Sequence, residues 1–142
     1  MAQLKDVSLA GKKVLVRVDF NVPLNDNFEI TDDNRIRAAL PTIQKVLQDG
    51  GKLILMSHLG RPKNGPEHRF SLSHIKEHLS KLTGAKVHFV DDCIGPSVSD
   101  ALQELNDGEI LLLENVRFYS EETKGEESFA KALSEHGDVY IN

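Results

Sequence analysis

The sequence predicts an α/β protein, with a parallel sheet lying between layers of helices. The first observation behind this is an alternation of short, β-branched apolar runs with segments of helical periodicity, in the order β-α-β-α-β-α-β-α-β. The second is that glycines close the helical segments. The third is where the polar residues fall: Asp19 and Asn21 follow the first strand, His58 and Arg61 the second, Asn115 and Arg117 the fourth. In an open parallel sheet the carboxyl ends of the strands form the ligand crevice. Distant segments therefore converge there, bringing cationic and hydrogen-bonding groups.

Lys13–Val18 is rich in β-branched residues and reads as the first strand. Asp32 and Asp33 offer an N-cap to a helix with Ile36, Ala39, Leu40, Ile43 and Leu47 on one face, ending at Gly50–Gly51. Pro41 lies inside it, and a kink is expected there. Lys52–Ser57 is the second strand. Ser71–Leu82 is a helix with Leu72, Ile75, Leu79 and Leu82 inward, closed by Gly84. Lys86–Val90 is the third strand, and Gly95–Pro96 opens a helix carrying Val98, Ala101, Leu102 and Leu105. Glu109–Glu114 is the fourth strand, Glu126–His136 a helix ended by Gly137, and Asp138–Ile141 the fifth strand. Right-handed crossovers would place the helices on both faces, giving a three-layer, Rossmann-like sheet.

At 142 residues the chain fits one domain, and its apolar and charged fractions (39% and 27%) are those of an ordinary folded protein. A net charge of −5 argues against nucleic-acid and anionic-membrane partners. It also makes the gathering of Arg35, Arg61 and Arg117 a local feature of an acidic molecule. The single cysteine, Cys93, fits a reducing, cytoplasmic compartment, and no apolar run approaches the roughly 18 residues of a membrane span.

The glycine-rich signatures of nucleotide and dinucleotide binding are absent, as is the hydrolase G-x-S-x-G. His74 and His78 have the H-x-x-E-H spacing of a zinc helix, yet no separate acidic ligand accompanies them, and a solvated helix face is the better reading. Asp91 and Asp92 with Asp19 suggest a receiver-like cation pocket; the plainer reading is a loop leading into the next helix. Cys93 reads as a packed small residue. Arg35 stands in the first turn of its helix, where amides and helix dipole already favour an anion, and Arg37 faces elsewhere. Arg17, inside an apolar strand, reads as a structural pairing residue. In Ser57-His58-Leu59-Gly60-Arg61-Pro62, Gly60 allows a tight turn and Pro62 stiffens its exit, which sets His58 and Arg61 above the strand end. A non-catalytic anion-sensing module would use the same crevice.

Several blocks, in order and over essentially the whole chain, resemble the N-terminal domain of the phosphoglycerate kinase family. They are Arg17-Val18-Asp19-Phe20-Asn21-Val22-Pro23, Arg35-Ile36, Ser57 to Pro62, Leu112 to Phe118 and Gly137 to Asn142. The resemblance implies a glycolytic transferase that interconverts 1,3-bisphosphoglycerate and ADP with 3-phosphoglycerate and ATP. It implies that Asp19 and Asn21 contact the hydroxyl and carboxyl end of the glycerate. His58, Arg61 and Arg117 would form the patch for the 3-phosphate, with Leu59 and Gly60 in the same substrate-binding turn. Arg35 would reach the carboxyl group and act as the catalytic residue, stabilising the phosphoryl group in flight. Magnesium–ATP or magnesium–ADP would be bound by a C-terminal domain that residues 1–142 lack. The resemblance further implies a monomer with no metal site in this segment. Because the family continues beyond the last residue here, residues 1–142 are expected to be an incomplete phosphoglycerate-binding domain, inactive alone.

Overall fold

The computed structural model describes residues 9–59, 70–116, 131, 133 and 135–141. Its strands are β1 (Lys13–Arg17), β2 (Lys52–Met56), β3 (Val87–Phe89), β4 (Ile110–Leu112) and β5 (Val139–Ile141); its helices are α1 (Asn34–Gln48), α2 (Lys76–Thr83) and α3 (Pro96–Glu104). The strands form one parallel sheet in the order β3-β4-β2-β1-β5. The predicted strands are all present, the third and fourth shorter than expected.

Because side chains alternate across a strand, each central strand feeds both faces of the sheet. Val14, Val16, Leu53, Leu55, Ile110 and Leu112 join Ile36, Ile43, Val46, Ile75 and Leu79 in a core under α1 and α2. Leu15, Ile54 and Leu111 point the other way and meet Val98, Leu102, Leu105 and Leu133. Topology explains the division. From β1 to β3 the chain moves outward in one direction and then reverses toward β5, so right-handed crossovers put α1 and α2 on one face and α3 on the other. The reversal leaves β1 between β2 and β5, a switch point of the kind that opens a crevice at the strand ends.

Local departures have tertiary causes. The helix expected over Ser71–Leu82 begins as a 3₁₀ turn, Leu72–Ile75, before α2. Its start is tied to the buried Glu114, which accepts from the Ser71 hydroxyl at 2.7 Å and the Leu72 amide at 2.9 Å. Helix α1 runs on through Pro41, although that residue has no amide to offer the Arg37 carbonyl. Asp33 occupies the N-cap position of α1 but makes no capping bond, because its carboxylate is engaged elsewhere. Most of the expected Glu126–His136 helix lies outside the described residues; Lys131 and Leu133 are helical, and Leu133 is buried. Gly137 after it is needed for closeness: a Cβ there would stand 2.9 Å from the Leu15 Cβ.

Three carboxylates outside the crevice floor contribute to stability above the acid range. Asp49 is held below the ordinary carboxylate value by its bond to Lys45 and by the Leu9 amide. Asp33 is lowered by Arg37 and then His78, and Glu109 by the Asn106 amide with help from His88. A carboxyl lowered in the fold adds stability above its unfolded value, about pH 4, and loses it as pH falls through the folded value. Thermal unfolding is therefore expected to be nearly flat from neutrality to about pH 5 and to fall steeply below about pH 4. The fall should be shallower in Asp49→Asn; an equal slope in that variant would remove Asp49 from the account.

Candidate functional site

Beyond β1 the backbone winds tightly. Val18 still pairs with Met56, its amide donating to that carbonyl at 3.0 Å, and the Val22 amide then bonds the Phe20 carbonyl at 2.8 Å. Phe20 is wholly buried and its amide donates to the Ser57 hydroxyl at 2.9 Å, which pins this turn to the end of β2. With Phe20 fixed inward, Asp19 is left exposed and Asn21 half-buried at the mouth of the crevice. The Asp19 carboxylate accepts from the Asn21 amide at 3.1 Å, the short-range turn typical of aspartate.

Arg35, the second residue of α1, reaches across to this turn. Its Nη1 donates to the Asn21 carbonyl at 2.9 Å and lies 3.4 Å from Asp19 Oδ1. Both side chains of that ion pair are more than half exposed (53% and 59%), so the pair adds little to stability. What it does is orient a guanidinium whose other N–H donors can meet a planar anion. A cleft of 390 Å³ opens beside it, with Asn21, Arg35 and Leu59 in its wall together with Phe28 and Phe70. A second depression of 330 Å³ borders Arg35 on the side of Asp32 and Asn34. His58 follows Ser57 just beyond the end of β2 and is half-buried.

Asp19, Asn21, Arg35, His58 and Leu59 thus stand together at the ends of β1 and β2. Gly60, Arg61 and Arg117 lie outside the described residues. Asn115, expected to face the crevice, does not. It is wholly buried, and its Nδ2 donates to the Leu59 carbonyl at 2.7 Å and the Phe70 carbonyl at 3.0 Å. One amide therefore joins the two stems of the 60–69 segment. Sequence reasoning also passed over Ser57 and Glu114, whose buried oxygens hold neighbouring loops; a polar residue directly after an apolar strand was the available signal.

The other motifs disperse. His74 stacks on Phe28, ring centroids 4.6 Å apart, while His78 Nε2 lies 2.8 Å from Asp33 Oδ2. Asp91 and Asp92 follow β3, three strand steps from β1, or roughly 14 Å at the usual spacing, so they share no pocket with Asp19. Cys93 is buried and its Sγ donates to the Glu114 carbonyl. Among the described residues no group of three His, Cys, Asp or Glu is placed to hold a metal ion, and no helix is long and apolar enough to cross a membrane.

Fold and crevice together define an α/β domain that presents an oriented arginine at the carboxyl ends of a parallel sheet. A family model described as phosphoglycerate kinase matches residues 4–142, and the chain belongs to that family. It is 54% identical over its whole length to phosphoglycerate kinase 2, chloroplastic, of Arabidopsis thaliana, and covers 30% of that protein. It is 52% identical to the cytosolic phosphoglycerate kinase of Nicotiana tabacum, covering 35% of it. The crystal structure of phosphoglycerate kinase from Pyrococcus horikoshii OT3 matches all of this chain with a TM-score of 0.86 at 32% identity, over 36% of that protein. The chain thus spans about a third of the length of the relatives it matches.

Proposed function

We propose that residues 1–142 form the phosphoglycerate-binding domain of a phosphoglycerate kinase, which transfers a phosphoryl group reversibly between 1,3-bisphosphoglycerate and ADP. The observation that carries this reading is Arg35 held against Asp19 and the Asn21 carbonyl at the mouth of the strand-end cleft. Asp19 and Asn21 take the glycerate hydroxyl and carboxyl end. His58, Arg61 and Arg117 take the 3-phosphate, with Leu59 and Gly60 as further substrate-binding residues. Arg35 meets the carboxyl group and the phosphoryl group passing to or from it.

Such a transfer needs alignment and charge neutralisation rather than covalent help, and a carboxylate that attacks as an anion needs no general base. An arginine is suited to both tasks, since its fork matches the oxygens and it stays charged. The nucleotide co-substrate is held outside residues 1–142. It would come with magnesium, for which the described residues here offer no ligand set. The protein acts as a monomer in a compartment that keeps Cys93 reduced.

Calorimetric titration of the chain with 3-phosphoglycerate, with glycerate as control, tests this. Saturable binding that requires the phosphate and fades in Arg61→Ala is expected. A folded chain that binds both compounds alike would sink the reading, as would binding of neither by this chain and by the full-length protein.

A further inference from the structure

His78 has no part in the site above, but its ring meets the residue that precedes α1. Arg35 is the second residue of that helix, so its guanidinium lies wherever the first turn lies. Ile36 buries the inward face of the turn, and apolar packing of this kind is not directional. Direction has to come from hydrogen bonds. Asp32 supplies a local one, accepting from the Asn34 amide at 2.9 Å, but Asp33 at the N-cap position supplies none to the helix amides. Its carboxylate instead accepts from Arg37 Nε at 2.9 Å and meets His78 Nε2 at 2.8 Å. Arg37 belongs to α1 and moves with it. His78 belongs to α2, 45 residues further along the chain, and joins the start of α1 to another element.

We propose that His78 is a positioning residue for Arg35, acting through Asp33 to hold the first turn of α1 against α2. In that position Arg35 Nη1 meets Asp19 and the Asn21 carbonyl. The inference rests on the phosphoglycerate reading of the cleft.

The test is steady-state kinetics of the full-length kinase, in the direction that consumes 3-phosphoglycerate. His78→Leu is expected to lower kcat/KM for 3-phosphoglycerate roughly three- to tenfold. That is short of the about hundredfold that a full 1 Å misplacement can cost. The KM for the nucleotide should not move. His78→Gln keeps a donor and should recover most of the loss. On an Arg35→Ala background, His78→Leu should add nothing, since effects acting through one group are not additive. Should His78→Leu fail to fold, Asp33→Asn takes its place in the same cycle. An active wild type whose kcat/KM is unmoved by these variants, or an effect that persists at full size without Arg35, would overturn the inference alone. A wild type with no phosphoglycerate turnover would overturn the reading of the cleft as well.

Discussion

Arg35→Ala is expected to lower kcat for phosphoryl transfer in the full-length kinase by about a thousandfold, some 4 kcal/mol of barrier. The argument is electrostatic. Negative charge on the moving phosphoryl group peaks between donor and acceptor, and a guanidinium already aimed at that region neutralises it without reorganising. Arg35 is held at the mouth of the cleft by the Asn21 carbonyl and Asp19. Stability should barely change, because the ion pair is exposed. Arg35→Lys should recover only part of the rate, since an ammonium keeps the charge and loses the planar fork. Single-turnover rates, with circular dichroism to establish folding, would decide the matter. A folded Arg35→Ala enzyme within about tenfold of wild type would remove Arg35 from the chemistry and leave it a binding group.

Asn115→Leu is expected to be the most damaging single change to the fold around the site. The substitution keeps the branched heavy-atom skeleton, with bulkier methyl groups, and removes the amide that serves the Leu59 and Phe70 carbonyls. Each buried acceptor left short costs about 1–3 kcal/mol, so a loss of roughly 3 kcal/mol and a drop in Tm of about 10 °C should follow. Binding of 3-phosphoglycerate should weaken beyond what the lost stability explains, because Leu59 forms part of the cleft wall. Asn115→Asp should do worse, placing a carboxylate against two carbonyl oxygens. A Tm within about 2 °C of wild type for Asn115→Leu would show that water or a rearranged loop serves those carbonyls equally well.

The two residues differ in how far the sequence revealed them. Arg35 was legible because its neighbourhood is local: a helix start, a cationic side chain and a strand end are all read from spacing. Asn115 was misread, as a group facing the crevice, because its partners lie 56 and 45 residues away and sequence position carries no sign of which way an amide points. Asp33 shows the same limit. Its place just before α1 predicted a cap, and the competing bonds to Arg37 and His78 prevailed.

By itself the sequence determined the alternation of strands and helices, the parallel three-layer arrangement and the end of the sheet where polar groups collect. These follow from periodicity, from glycine and proline, and from the handedness of crossovers, all short-range or general. Tertiary structure alone decided the strand order, which puts β1 beside β2 and removes Asp91 and Asp92 from the site. It alone turned Asn115, Glu114 and Ser57 inward as the bonds that shape the loops, and tied His78 to the helix that carries Arg35. Those outcomes depend on which buried polar groups find partners across the chain, and that is settled only when the distant segments meet.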